Sequence, residues 1–222
     1  MRFSEVFTKI RREAPKDEES LNAKLLIQGG FIDKLAAGIY TFLPLGLRVL
    51  NKIENIVREE MNAIGGEEML MPALQPKENW ETSGRWQGFD ALFKLKSRYG
   101  AEFALGPTHE EILYPLLKNH IFSYRDLPVR AYQIQTKFRD EPRAKSGLLR
   151  SKEFRMKDMY SFHANDKDRD AFYEAVKKAY LKIFKRLGLD AIPTTASGGT
   201  FSELSMEFQV VTPAGEDDIF FC

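Results

Sequence analysis

Apolar residues recurring at every third or fourth position mark two long helices. Leu47, Leu50, Ile53, Val57, Met61 and Ile64 keep that interval with Lys52, Glu54, Glu59 and Glu60 between them. The spacing predicts a helix from about Leu45 to Ile64, stopped by Gly65-Gly66. Phe172, Val176, Tyr180, Ile183 and Leu187 predict a second, over roughly Asp168 to Leu187. Two shorter helices are expected. One holds Leu21, Leu25 and Ile27 between a capping Ser20 and Gly29-Gly30; the other begins near Thr108 and covers Glu111 to Asn119.

Between the helices the pattern shortens to β-rich runs at 37–46, 67–74 (ending at Pro72), 129–141 and 151–164. Ala91 to Lys96 and Glu102 to Leu105 form a hairpin around the turn "SRYG", and residues 142–149 are a loop. Strands outnumber helices and meet through tight turns. That predicts an α+β fold, an antiparallel β-sheet flanked by helices, rather than a doubly wound parallel sheet. No repeat or low-complexity tract divides the chain, so residues 1–222 read as one domain with an N-terminal segment at 1–46. No GxGxxG opens a helix and no GxxxxGK[ST] occurs, so any nucleotide is bound without either device.

Composition adds little until charge is located. The chain is 43% hydrophobic and 29% charged with a net charge of +1, which gives no general affinity for polyanions. The one cysteine, Cys222, allows neither an internal disulfide nor a cysteine-built zinc site. No apolar run has secretory or membrane-spanning length, so a cytoplasmic protein without membrane contact is expected. Yet residues 137–162 hold eight Lys or Arg against four Asp or Glu. On strands, residues two apart share a face. Lys137, Arg139 and Glu141 therefore group on one strand, and Phe154, Met156 and Asp158 on the returning one, with Arg150 on the loop between. A guanidinium for phosphate oxygens, a ring for a purine and a carboxylate for an amino group suit a nucleoside triphosphate. The alternative is a solvated hairpin laced by ion pairs of about 0.2–1 kcal/mol each.

"FRDEPRAKSGLLRSKEFRMKD" resembles motif 2 of the class II aminoacyl-tRNA synthetases, with matches at Phe138, Arg139, Glu141, Arg150, Phe154 and Asp158 in the hairpin 137–162. "AIGGEEMLMPAL", closing the helix and strand of 47–74, resembles motif 1 with Pro72 as its proline. "GPTHEE" at 106–111 resembles the T-x-E signature of prolyl-tRNA synthetases at Thr108 and Glu110, and "SGGTFSELSMEFQVVTPAGED" at 197–217 a later segment of the bacterial type. The resemblance implies an enzyme that activates L-proline with ATP and transfers it to the 3′ end of tRNA(Pro). It implies that Arg139 binds the α-phosphate and stabilises the transition state, that Arg150 holds the γ-phosphate, that Phe154 stacks adenine and that Glu141 contacts its amino group or supports the loop. Asp158 would orient an arginine from behind, or form a strand-end ion pair. Thr108 and Glu110 would hold the proline ammonium, whose two N–H donors suit one hydroxyl and one carboxylate. The same residues also read as a helix cap with acidic first-turn partners.

Pro72 would sit at the interface of a homodimer, or only end a strand. Magnesium is expected with ATP, with no protein ligand assigned, and zinc is not expected. Arg143 and Lys145 offer positive charge to the tRNA acceptor end. His109 and His163 are assigned no role; Trp80 and Trp86 flank a Gly-rich stretch and read as core or as a lid. Met206 stands where the family often has a histidine near the amino-acid pocket. Motif 3 and an anticodon domain are not found, so the chain looks like part of a synthetase's catalytic domain. Its sheet would then leave an apolar edge exposed or covered by self-association. Two other readings are a non-catalytic synthetase-like module for binding or dimerisation, and a threonyl or seryl enzyme.

Overall fold

The computed structural model describes every residue except 1, 17, 143–145, 197–204, 214, 216, 217, 221 and 222. In chain order the main elements are α1 (Leu21–Gln28), β1 (Ile32–Ala36), β2 (Ile39–Phe42), α2 (Pro44–Ala63), β3 (Glu67–Glu68), β4 (Leu74–Pro76), α3 (Lys77–Thr82) and α4 (Arg85–Gly88). There follow β5 (Phe93–Lys96), β6 (Glu102–Leu105), α5 (Glu110–Leu117), β7 (Val129–Phe138), β8 (Glu153–Phe162), α6 (Asp166–Arg186), β9 (Ala191–Ala196) and β10 (Ser205–Val210).

The centre is the antiparallel ribbon of β7 and β8, in register from Val129 opposite Phe162 to Phe138 opposite Glu153. One face of it is apolar. Tyr132 and Ile134 pack with Met61 of α2 and Ala179 and Ile183 of α6, with Ile56, Val57, Met159 and Tyr180 around them. These are the stripes that the three-to-four spacing singles out, and burying each large side chain contributes about 1.5–3 kcal/mol. Arg186 and Lys182 of α6 clamp the buried Glu60 carboxylate of α2 at 2.6 and 2.9 Å. Leu47 and Ile53 remain partly exposed, at 47% and 38%.

The opposite face is mixed. Its lower part, Ala131, joins Met71, Leu113 and Leu117 and so seats α5 against the ribbon. Trp80, Trp86, Leu92 and Ala104 form a third cluster under the β5–β6 hairpin. Both tryptophans are core, not lid: α3 and α4, which the sequence pattern does not show, hold them in.

The fold is mixed α and β with mainly antiparallel pairing, as expected, but three elements differ. First, β7 stops at Phe138. Arg139 N still reaches Lys152 O at 2.9 Å, whereas Asp140 N turns to Ala91 O at 2.9 Å and Glu141 N to Arg139 O at 2.8 Å. Second, the run 67–74 is not one strand. β3 pairs in parallel with β7. Met71 N then donates to the Gln133 side chain at 3.2 Å, and the chain leaves to pair β4 with β6. Third, the exposed apolar edge falls elsewhere than on β8. That strand lies at the edge of its sheet among the described residues with its large apolar side chains half-buried, whereas Leu74 of β4 and Leu95 of β5, edge strands of the other three-stranded sheet, are 48% and 42% exposed. Among the described residues no helix is long and apolar enough to cross a membrane.

Candidate active site

Gln133, Gln135 and Lys137 alternate along β7 on the face away from α2 and α6, and all three are buried. Opposite them on β8 stand Asp158, Met156 and Phe154. Lys137 pairs across with Phe154 but reaches along the ribbon to Asp158, Nζ to Oδ2 2.8 Å. The same carboxylate oxygen accepts from Tyr160 Oη at 2.7 Å and from Gln133 Nε2 at 3.1 Å. Asp158 thus follows the ion-pair reading, with a lysine and in mid-strand, in place of orienting an arginine. The reason is distance: Arg139 lies beyond the strand end, while an extended lysine on the shared face spans the gap. Burial lowers the Lys137 pKa, against the pull of Asp158. Tyr160 is pushed upward by burial and by the Asp158 charge.

The segment 106–109 is fastened beside this face. Gly106 N donates to Ala73 O at 2.8 Å, and Gly106 O accepts from Phe138 N at 3.2 Å. A Cβ at Gly106 would lie 2.4 Å from Gln75 Nε2, so the close approach requires glycine. Gln75 Nε2 donates to Thr108 O at 3.0 Å and is itself held by Trp80 Nε1, 2.9 Å from Gln75 Oε1. His109, fully buried, is the residue before α5. Its backbone N–H donates to Tyr160 Oη at 3.0 Å, its Nε2 faces Pro72 O at 3.1 Å, and its Nδ1 meets Lys137 Nζ. Burial, then the Lys137 charge, lowers its pKa to about 4, so the ring is neutral.

On either side of this histidine, Thr108 Oγ1 and Glu110 Oε2 are buried without a hydrogen-bond partner. Thr108 makes no side-chain cap to α5, whereas Glu110 and Glu111 do stand in its first turn as the cap reading expects. Glu110 lies 3.7 Å from Arg85 Nη1, an ion-pair distance too long for a hydrogen bond, and borders a groove of about 690 Å³. Glu111 Oε1 is bound to Arg85 at 2.7 Å and Ser83 at 3.0 Å, which ties Glu111 to the scaffold, while its Oε2, like that of Glu110, is buried without a hydrogen bond.

At the open end of the ribbon the Arg139 guanidinium lies 5.4 Å from the centre of the Phe154 ring, and its Nε is buried without a partner. Glu141 lies in the turn that ends β7, so face alternation no longer governs it. Arg150 is exposed and follows the short helical turn Gly147–Leu149. That turn is held by α1: Asn22 Nδ2 donates to Ser146 O at 2.9 Å. Gly147 takes φ +61°, where a Cβ would meet Asn22 Oδ1 at 2.2 Å.

The structure therefore gathers Thr108, Glu110 and Asp158 around the His109–Lys137 contact, with Arg139 at the ribbon end beside Phe154, which also borders a groove toward α2. Glu141 follows in the turn after Arg139, and Arg150 is exposed on the connecting loop. Exposed Pro72 lends only its carbonyl. Met206 does not join them. It lines a groove with Met159, Phe172 and Tyr180, on the α6 side of the ribbon, which corrects its expected place near the amino-acid pocket. Arg143, Lys145 and residues 197–204 lie outside the described residues. Residue-by-residue reading passed over Gln133, Gln135, Lys137, His109 and Tyr160. For Gln133, Gln135 and Lys137 the one signal is polar alternation in "YQIQTK", which normally marks a solvated face.

Residues 93–218 match the family model described as tRNA synthetase class II core domain (G, H, P, S and T). A proline–tRNA ligase from Thermotoga maritima is 51% identical over 224 residues, covering 100% of this chain and 39% of the relative. One from Dehalococcoides mccartyi is 49% identical with the same coverage. The chain thus spans 39% of the length of these relatives. Among solved structures, Giardia lamblia prolyl-tRNA synthetase in complex with prolyl-adenylate matches with a TM-score of 0.78 at 24% identity. That match covers 85% of this chain and 40% of that one.

Proposed function

The chain belongs to the class II tRNA synthetase core-domain family, and on that premise we propose that it forms the proline- and ATP-binding face of a proline–tRNA ligase. The observation that carries this reading is the set of open valences on one buried face. Thr108 Oγ1 and Glu110 Oε2 make no hydrogen bond in the fastened segment, Glu110 keeping its 3.7 Å ion pair with Arg85, and Arg139 Nε makes none at the ribbon end. Buried polar atoms are normally satisfied, so a cluster of exceptions marks groups reserved for a ligand. The relatives of about half identity, and the fold shared with an enzyme crystallised with prolyl-adenylate, indicate which ligand.

In this reading Thr108 and Glu110 receive the secondary ammonium of proline, one hydroxyl and one carboxylate for two N–H donors. Arg139 swings from the Phe154 ring to the α-phosphate as the proline carboxylate attacks, expelling pyrophosphate. Phe154, relieved of the guanidinium, stacks adenine; Glu141 takes its amino group and Arg150 the γ-phosphate. Magnesium accompanies ATP. Among the described residues no three His, Cys, Asp or Glu side chains gather, so no protein ligand and no step is assigned to it. The acceptor end of tRNA(Pro) approaches the Arg143–Lys145 loop, and Pro72 lies at a homodimer interface of a cytoplasmic enzyme of protein synthesis.

The test is calorimetric binding of sulfamoyl analogues of prolyl-, threonyl- and seryl-adenylate. The prolyl analogue is expected to bind most tightly. Arg139→Ala should weaken it, and where proline-dependent ATP–pyrophosphate exchange is measured it should slow that exchange about 10²–10³-fold. Tighter binding of the threonyl or seryl analogue would overturn the assignment.

A further inference from the structure

We propose that Lys137 is a positioning residue: it fixes the Thr108–Glu110 segment by holding the His109 imidazole, and so sets affinity for the amino acid without touching it. The inference rests on the reading of Thr108 and Glu110 as the ammonium site.

A fully buried lysine is costly unless its charge and its N–H donors are matched. Lys137 is 0% exposed and stands on a strand where methionine or leucine would pack without that cost. Asp158 matches the charge at 2.8 Å. A second N–H goes to His109 Nδ1; Nε2 faces both Pro72 O at 3.1 Å and the Gln135 amide at 3.3 Å, and a proton on Nε2 directed to Pro72 O leaves Nδ1 free to accept. The histidine backbone is held as well. Its N–H donates to Tyr160 Oη at 3.0 Å, and that hydroxyl donates to the same Asp158 oxygen at 2.7 Å.

The four groups close a ring: lysine to imidazole, backbone to tyrosine, tyrosine to carboxylate, carboxylate to lysine. Ring and backbone of one residue are thereby fixed at once, and that residue separates the two side chains left with open valences. Without the ammonium, nothing in the ring holds Nδ1, and the imidazole can turn about its remaining contacts. A turn of that residue displaces Thr108 and Glu110 in opposite directions, whereas Arg139 and Phe154, on the ribbon itself, keep their places. The expected defect is therefore one-sided, in the aminoacyl half of the ligand and not in the nucleotide half.

Lys137→Met, Tyr160→Phe and the unaltered chain would be titrated with the prolyl sulfamoyl-adenosine analogue and with AMP. ¹⁵N NMR would read the His109 tautomer, and amide exchange the backbone at His109 and Glu110. Lys137→Met is expected to weaken the prolyl analogue about tenfold, to leave AMP unchanged and to speed exchange at His109 and Glu110 alone. Equal weakening of both ligands, or of neither, would overturn the proposal, as would a His109 protonated at Nδ1 in the unaltered chain. If Lys137→Met does not fold, Tyr160→Phe removes the acceptor of the His109 N–H and must show the same split. If the unaltered chain binds AMP but not the prolyl analogue, the proline reading fails. The NMR arm still decides the positioning role: loss of the Nδ1 hydrogen bond with faster local exchange supports it, unchanged signals refute it.

Discussion

The two faces of the β7–β8 ribbon solve burial in opposite ways. Toward α2 and α6, Tyr132 and Ile134 meet Met61, Ala179 and Ile183, and the contact is chiefly hydrophobic, with directional bonds at its margin from Tyr132 Oη to Asn62 and from Glu60 to α6. Away from them, Gln133, Gln135 and Lys137 are just as buried, and each polar group needs a partner at a set distance. The first face tolerates substitution that keeps volume; the second does not tolerate loss of one member. Hydrogen-bonding capacity is nevertheless left open on and around this face, at Gln135 Oε1 and Asp158 Oδ1 as well as at Thr108, Glu110 and Arg139. The difference shows where fold stability and ligand binding are separated on a single pair of strands.

The severest way to break that contrast is Asp158→Ala. It strands the buried Lys137 ammonium and should cost about 3–5 kcal/mol in urea-unfolding stability. Acidification probes the same face. His109 has its pKa lowered to about 4 from the 6.5 of an unfolded histidine. Between those values the unfolded state binds more protons, so stability falls as pH falls from about 6.5 to about 4, by up to about 3 kcal/mol, and this contribution then levels off. A His109→Gln variant should lack that slope, and an unchanged slope would remove His109 as its source. On the helix face Ile183→Val should cost only about 0.5–1.5 kcal/mol. A loss as large as that of Asp158→Ala would erase the distinction between the faces. Smallest of all, Glu68→Gln, which breaks the partly exposed 2.7 Å pair with Arg58, should shift stability by less than about 1 kcal/mol.

The comparison also explains what could be read from the chain alone. Period identified α2 and α6 within two residues of their observed ends, because an apolar stripe is the direct cause of helix docking. It missed β1, α3 and α4, which are short and take their stability from contacts such as the buried Trp80 and Trp86. It extended β7 to residue 141, because a backbone donor captured by Ala91 O leaves no trace in side-chain alternation. Motif 2 drew notice to Arg139, Phe154 and Asp158. Lys137 was seen only as one more cation on a crowded strand, and His109 only as a lone histidine.

From sequence alone came the helical stripes, the charged hairpin, the order of the motif-like segments and hence the family. Each is a property of neighbours along the chain, or of residue types that chemistry restricts. Tertiary structure alone decided that "YQIQTK" is buried rather than solvated, that Asp158 serves a lysine, and that Met206 lies across the ribbon from Thr108 and Glu110. Alternation tells which residues share a face but not whether water reaches it. That depends on what distant segments, here 71–75 and 106–113, lay against the strand.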